Sequence, residues 1–453
     1  MEKYGLMVIG GGTAGLAAAL LASKKTKTVL IDPKTLGGTC LNSGCIPTKA
    51  MLYASHLYKL SKEMKHYGVS TTSKLNFSKL MDRVNGIVQT GVDHIYKGIK
   101  KNKNLTVIRA KASFINSNTV KAGSKKIRAQ KIIIATGARN FVPPIKGIKT
   151  VGYLDNETIL GLKKLPKSVV TIGGGYIAME FATFFHQLGC KVTVLELFPN
   201  ILGTLDDDVS NGLKEHYVSQ GMKIINNANI IQVKKVKGKK VITYNDVRDK
   251  NSKKMELNVD EIVLATGRLP NTDGLSLDKA GINLGKKNIA VNRYLQTTNP
   301  DVYALGDVNG RAMFAHACKR ERNYVIKTIF DGKKPSIDFN LMPWAVFTSP
   351  PVAGIGLNET QATKKEISFG VLKANFKKVG RAKIIEEQFG LVKILYNKKD
   401  RRIIGATIMG PNADDIIHEF VALMNAKATI TTLKRMIHIH PTLSEVMENL
   451  KEK

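Results

Sequence analysis

Two stretches of this chain follow one plan, an apolar strand, a glycine-rich turn, a helix and a second apolar strand. That repetition restricts the fold more than any other feature. In the first stretch, Leu6–Ile9 runs into Gly10-Gly11-Gly12-Thr13-Ala14-Gly15, a helix opens over Leu16–Ala22, and Thr28–Ile31 follows as the next strand. In the second, Val169–Ile172 leads to Gly173-Gly174-Gly175-Tyr176-Ile177-Ala178, a helix through Leu188 and the strand Val192–Leu195. Each unit is one half of a dinucleotide-binding fold, so two separate nucleotide sites are predicted.

The turn residues carry the chemistry. Gly10, Gly12 and Gly15, with Thr13 and Ala14 between them, aim backbone N–H groups at a pyrophosphate on a helix N-terminus. Asp32 ends the next strand, where a carboxylate accepts from a ribose hydroxyl. The second loop keeps Gly173 and Gly175 but has Ala178 at the third position, which still permits fairly close helix-to-strand contact; Tyr176 and Ile177 complete it. Glu196 closes the following strand with no arginine immediately after it. A carboxylate there welcomes the 2′-hydroxyl of NAD and repels the 2′-phosphate of NADP, although a solvated strand-end acid reads the same way.

Each unit is followed by an apolar strand ending in Ala-Thr-Gly: Ile132–Gly137, with Thr136 and Gly137 at its tip, and Ile262–Gly267. Val302–Leu305 is a further such strand and terminates in Gly306-Asp307; Asp307 is either a polar anchor on a cofactor's ribityl chain or a helix cap. Pro143-Pro144 and Leu269-Pro270 punctuate the exits. From Ile337 the pattern changes to short strands at Val346–Thr348, Ile367–Val371, Leu391–Leu395 and Ile403–Met409, then helices at Ala413–Asn425 and Ile430–Met436. Such a mixed domain has a face to bury. The predicted divisions are residues 1–145, 146–268, a return segment 269–336, and 337–453.

Cys40 and Cys45 stand in Gly37-Gly38-Thr39-Cys40-Leu41-Asn42-Ser43-Gly44-Cys45-Ile46-Pro47-Thr48-Lys49, close enough for a small disulfide loop and set among glycines and polar residues. Cys190 and Cys318 have no close sequence partner, and four cysteines in 453 residues do not make a disulfide scaffold. Cys45 is predicted to open a helix through Met51–Leu60, with Pro47 in its first turn, where unpaired backbone donors stabilise a thiolate. Lys49, one turn further, is either a cation beneath an isoalloxazine ring or a surface lysine. Towards the other end, His438-Ile439-His440-Pro441-Thr442-Leu443-Ser444-Glu445 offers an imidazole to move thiol protons and a carboxylate, Glu445, to orient it. Thr442 and Glu445 also fit a helix capping box. The two histidines have no Cys or Asp cluster to complete a metal set, so no metal site is expected.

A chain of 453 residues exceeds one usual hydrophobic core and predicts about three domains. The net charge of +34 comes from 70 Lys plus Arg against 36 Asp plus Glu. The lysines are scattered and arginine is scarce, which fits a basic solvated surface better than a nucleic-acid reading head; an acidic partner complex or polyanionic nucleotides would also use that field. No apolar run approaches a membrane span, and Leu6 follows Met1 too closely for a cleavable leader. No membrane insertion and a cytoplasmic location are therefore expected, a compartment where a cycling disulfide fits and a lasting one does not.

Through these motifs residues 4–447 resemble the flavoprotein pyridine nucleotide-disulfide oxidoreductases; the run Gly37–Lys49 is the most specific. The resemblance implies an α/β architecture of two Rossmann-like FAD/NAD(P)-binding domains with a C-terminal α+β dimerisation domain, FAD and NAD(H) as cofactors, and a homodimer. It implies that Cys45 contacts flavin and Cys40 exchanges with substrate, that Glu180 in Gly-Gly-Gly-Tyr-Ile-Ala-Met-Glu pairs with Lys49, and that Gly306-Asp307 belongs to the second flavin-binding strand. Gly38 and Thr39 join the cofactor-binding set. His440 and Glu445 match an acid-base dyad that reaches the disulfide from the other subunit. Within the family the chain is most similar to dihydrolipoamide dehydrogenase, which implies a disulfide or dithiol substrate such as the lipoyl domain of a 2-oxoacid dehydrogenase complex. Ala178 is similar to the glutathione reductases, but the NADP-type arginines are absent. Mercuric reductase is disfavoured because no cysteine pair lies near the C-terminus. Thr348-Ser349-Pro350-Pro351 departs from the lipoamide pattern and leaves another disulfide reductase as the alternative. A flavin-bearing binding or scaffold protein is the non-enzyme alternative, and it would keep Cys40, Cys45, His440 and Glu445 without using them.

Overall fold

The computed structural model describes residues 2–249, 251–333 and 337–452. Its first sheet runs, edge to edge, Leu105–Ile108, Thr28–Ile31, Glu2–Ile9, Lys125–Ile134, Thr119–Ala122 and Ala112–Phe114. Val302–Ala304 pairs in parallel with the last residues of Lys125–Ile134. Register fixes the chemistry of the edge: Ile9 lies opposite Ile31 and Ile134, and Ile134 lies opposite Ala304. The parallel strands therefore end level, and the residues that follow them share one rim of the sheet.

A second parallel sheet has the order Lys223–Ile225, Lys191–Leu195, Ser168–Ile172, Glu261–Leu264. Beside it in sequence stands an antiparallel sheet of Ala228–Val236, Lys239–Asp246 and Met255–Val259 that the glycine pattern did not predict. The C-terminal sheet has six strands in the order Trp344–Val346, Val352–Gly356, Ile403–Met409, Leu391–Asn397, Phe369–Asn375, Lys451–Glu452. The helix Ala413–Asn425 buries Ile416, Ile417, Phe420 and Met424 against it.

Element boundaries differ from the sequence reading in informative places. The first helix begins at Thr13, not Leu16, because Gly12 already supplies the extended N-cap. The strands before both Ala-Thr-Gly runs stop at Ile134 and Leu264, which leaves those runs as loops. The strand expected at Val346–Thr348 is Trp344–Val346, that at Ile367–Val371 is Phe369–Asn375, and the helix expected to Met436 ends at Lys434. The largest omission is the 24-residue helix Phe77–Lys100. Gly86, Gly91 and Gly98 weaken its propensity signal, yet Asn76 caps it by accepting from the Lys79 N–H, and Phe77, Met81, Val84 and Val92 give it a buried stripe. A side chain at position 91 would meet Leu41 Cδ1 at 2.6 Å, so this glycine lets the helix lie against the cysteine segment.

Candidate active site

At the rim of the first sheet the chain leaves Ile9 through Gly10, whose φ of +105° and whose contact with Ala135 oxygen, 2.3 Å from any added Cβ, admit only glycine. A Cβ at Gly15 would sit 1.9 Å from the Gly10 carbonyl oxygen, so this glycine brings the helix onto the strand. Ala178, its counterpart in the second unit, is fully buried without loss of the turn. The strand-end acids do something the sequence did not suggest. Asp32 accepts from the Gly11 N–H and from the Lys34 N–H, and Glu196 accepts from the Gly174 N–H and from the Phe198 N–H. Each carboxylate braces its own glycine loop.

One cavity of about 1280 Å³ opens along this rim. Its lining joins Gly10, Gly12, Thr13, Ala14 and Asp32 to Gly38, Thr39, Cys40, Cys45 and Lys49, then to Thr136, Gly137, Gly306 and Asp307. Tyr176, Ile177 and Glu180 enter from the second unit. Gly15 lies under the loop, whereas Gly173, Gly175, Glu196 and Gly267 belong to the second sheet's own rim and do not line the cavity. A space with a glycine cradle, a strand-end acid and a thiol pair in its wall fits FAD.

The redox segment is short and tightly placed. Cys40 sits in the helix Gly38–Asn42, and Cys45 starts the helix Cys45–Glu63, with Pro47 buried in its first turn. Gly38, at φ +61°, packs so closely on the first glycine loop that a Cβ would lie 2.5 Å from the Gly12 Cα. Asn156 Nδ2 donates to the Ser43 carbonyl at 2.9 Å and ties the segment to the domain linker. Both cysteines are free thiols. Their mutual S–H···S contact holds the Cys40 thiol down to about 7, and the same contact pushes Cys45 up. The helix start favours a thiolate on Cys45, and in the singly ionised pair the two sulfurs share one proton.

Lys49 Nζ meets both Glu180 oxygens, at 2.7 and 2.8 Å, and lies 4.4 Å from the centre of the Phe347 ring, while the Phe347 N–H donates to Glu180 at 3.1 Å. Glu180 is 7 % exposed, so the surface-lysine reading of Lys49 gives way to a built ion pair. Asp307 lies in a short helical turn, and burial raises its pKa against the opposing pull of Arg268. Glu321, fully buried, accepts from the Gly306 N–H at 2.6 Å and from Asn309 at 3.1 Å, which fixes that turn. Arg268, Glu321, Asn156 and Phe347 were not legible as site residues; only Arg268 had a local signal, its place just after Ala-Thr-Gly.

His440 and Glu445 stand apart from the cavity, in the C-terminal domain. His440 Nδ1 and Glu445 Oε1 are 2.7 Å apart, and Glu445 Oε2 accepts from the Thr442 N–H at 2.7 Å, the back-bonding half of the expected capping box. These donors lower the Glu445 pKa, His440 first. The His440 side chain is 78 % exposed, so the far edge of the imidazole faces outward. His438 points the other way, buried between Glu419 and Glu448, each 3.5 Å from a ring nitrogen. Cys190 is a buried thiol donating to the Pro166 carbonyl, and burial pushes it up to about 12. Among the described residues no helix is long and apolar enough to cross a membrane.

Comparison with known proteins agrees with this geometry. Residues 4–321 match the family model described as pyridine nucleotide-disulphide oxidoreductase, and residues 342–451 match that family's dimerisation domain. A mercuric reductase of Staphylococcus aureus is 32 % identical over 98 % of this chain and 81 % of its own length. Dihydrolipoyl dehydrogenase of Chlamydia trachomatis is 31 % identical over 98 % and 95 %, and Arabidopsis thaliana dihydrolipoyl dehydrogenase 1, mitochondrial, 33 % over 99 % and 89 %. The HOCl-induced flavoprotein disulfide reductase RclA from Escherichia coli superimposes with a TM-score of 0.88 at 29 % identity, covering 99 % of both chains. The chain belongs to the pyridine nucleotide-disulphide oxidoreductases, and its cofactors are FAD and a nicotinamide dinucleotide.

Proposed function

We propose that the protein is a homodimeric, NAD-linked dihydrolipoyl dehydrogenase that moves two electrons between a dithiol substrate and NAD+ through the Cys40–Cys45 pair. The observation that carries this is the single cavity in which both cysteines, the Lys49–Glu180 pair and the first glycine loop meet. Gly10, Gly12, Thr13 and Asp32 would hold the adenine-nucleotide half of FAD, Asp307 its ribityl chain, and Cys45 and Lys49 would face the ring. Bound FAD supplies the relay between dithiol and nicotinamide.

His440 takes a thiol proton at Nε2, its Nδ1–H being held by Glu445. The substrate thiolate attacks the Cys40 sulfur of the oxidised pair and releases Cys45 as a thiolate; the second substrate thiol then attacks the first substrate sulfur and releases Cys40, which takes up that thiol's proton by way of His440, so one proton stays on the imidazole and one on Cys40. Substrate leaves as a closed disulfide, the pair is left as one thiol and one thiolate, and the two electrons pass on to NAD+. Because His440 faces outward at the chain's C-terminal domain, the reading has it serve Cys40 of the second subunit. Ile437 and Ile439, 96 % and 80 % exposed beside it, give that dimer an apolar seam.

Metal-ion reduction is the second reading, favoured by the mercuric reductases among the relatives. Rates measured with NADH or NADPH against lipoamide, glutathione disulfide, Hg(II) and a quinone decide between them. NADH with lipoamide is expected to be the fastest pair; faster Hg(II) or glutathione disulfide turnover would overturn the proposal.

A further inference from the structure

Arg268 has no assigned part in the reaction, yet its side chain lies at a crossing of several elements. The strand Arg268–Pro270 pairs antiparallel with Ala138–Asn140, so the exits of the two nucleotide-binding units form one ribbon. From there Arg268 donates through Nη1 to Asn140 Oδ1 at 3.0 Å and through Nη2 to the Ala138 carbonyl at 2.6 Å; Nη2 also reaches the Thr39 hydroxyl at 3.5 Å. Its Nε is 4.0 Å from Asp307 Oδ2. The side chain is 15 % exposed and lines the cavity.

We infer that Arg268 is a positioning residue that keeps the Asp307 carboxylate ionised, and hence accepting, toward the ribityl hydroxyls of FAD while pinning it beside the Cys40 segment. The inference rests on the reading of Asp307 as a ribityl contact.

The electrostatics of the turn require such a cation. The helix Ala315–Asp331 presents Glu321 and Cys318 to Asp307. Burial raises the pKa of Asp307, of Glu321, and of Cys318, the last up to about 12. An ionised Asp307 disfavours a negative charge on Glu321, and both disfavour one on Cys318. Among the described residues Arg268 is the cation in ion-pair range of Asp307, while Arg311 acts on Glu321. A neutral carboxyl would offer one O–H donor and less acceptor capacity to a polyol chain. Arginine suits the position because its planar fork reaches a carbonyl, an amide oxygen and a carboxylate from three separate nitrogens, whereas a lysine offers a single one.

The sign of the pH effect follows. FAD binding that needs ionised Asp307 weakens as pH falls through the Asp307 pKa, and loss of Arg268 moves that pKa up. The test is FAD affinity of the apoprotein, read by quenching of flavin fluorescence from about pH 5.5 to 8.5, for wild type, Arg268→Met, Arg268→Lys, Asp307→Asn and the Arg268→Met/Asp307→Asn pair. Arg268→Met is expected to bind FAD about tenfold more weakly at the acidic end, corresponding to about one pKa unit, with the deficit shrinking as pH rises. Arg268→Lys keeps a cation and should follow the wild-type pH profile. In the Asp307→Asn background the methionine substitution should cost little. A deficit that is the same at every pH, or that adds in full to Asp307→Asn, would overturn the role of Arg268. Unchanged FAD affinity in Asp307→Asn alone would instead overturn the ribityl reading beneath it. Should Arg268→Met not fold, a lysine variant whose profile moves as far as one pKa unit would overturn the inference.

Discussion

Lys49 and Glu180, 131 positions apart in the chain, meet with one ammonium between two carboxylate oxygens at 2.7 and 2.8 Å. The pair joins the helix that Cys45 opens to the helix that follows the second glycine loop, so it links the thiol pair to the second glycine-loop unit. Removing one partner leaves the other partly desolvated. Glu180→Ala should lower stability by about 2 kcal/mol, the scale of hydrogen bonds to a charged group, and Glu180→Gln by less. A denaturant midpoint unchanged in Glu180→Ala would contradict the pair's structural weight.

The shared proton of the cysteine pair gives a pH signature. In two-electron-reduced enzyme, alkylation of Cys40 should rise with pH through an inflection at about 7. Cys45→Ala removes the thiol donor, so the inflection should move up toward the ordinary thiol value of about 8.5. An inflection that stays in place would show that something other than Cys45 sets it.

Glu196 has two jobs in this reading, rejecting a 2′-phosphate and bracing the Gly174 N–H. NADH should exceed NADPH in kcat/KM by about tenfold or more, equivalent to about 1.4 kcal/mol. Glu196→Ala should raise KM for NADH while improving NADPH little, because the loop loses its brace as well as its charge. A variant that gains NADPH activity at no expense to NADH would leave the brace without a functional role.

The outward-facing His440 makes complementation the sharpest test of the dimer. Subunits carrying His440→Ala, mixed with subunits carrying Cys40→Ser, should form some dimers with one intact composite site and recover part of the lipoamide turnover. Verified mixed dimers without recovered activity, or a fully active monomer, would exclude the arrangement. Glu445→Ala should slow dithiol exchange more than electron transfer from NADH, since its carboxylate meets His440 and the Thr442 N–H.

The sequence alone determined the local chemistry wherever a backbone conformation admits few residues. Gly10 and Gly15 announce the turn because no Cβ fits there, and Cys40, Cys45 and Pro47 mark a helix start readable from spacing alone. The helix Phe77–Lys100 stayed hidden because three glycines weaken its local signal, and the one at position 91 answers to a neighbour, Leu41, that lies 50 positions away in the chain. Tertiary structure decided whatever depends on register and approach. Level strand ends bring Asp32, Thr136 and Asp307 to one rim, the fold sets Arg268 against Asp307, and burial turns Glu321 into a clamp on Gly306. Such pairings carry no period or motif, because the energy of a buried charge belongs to its surroundings and not to its place in the chain.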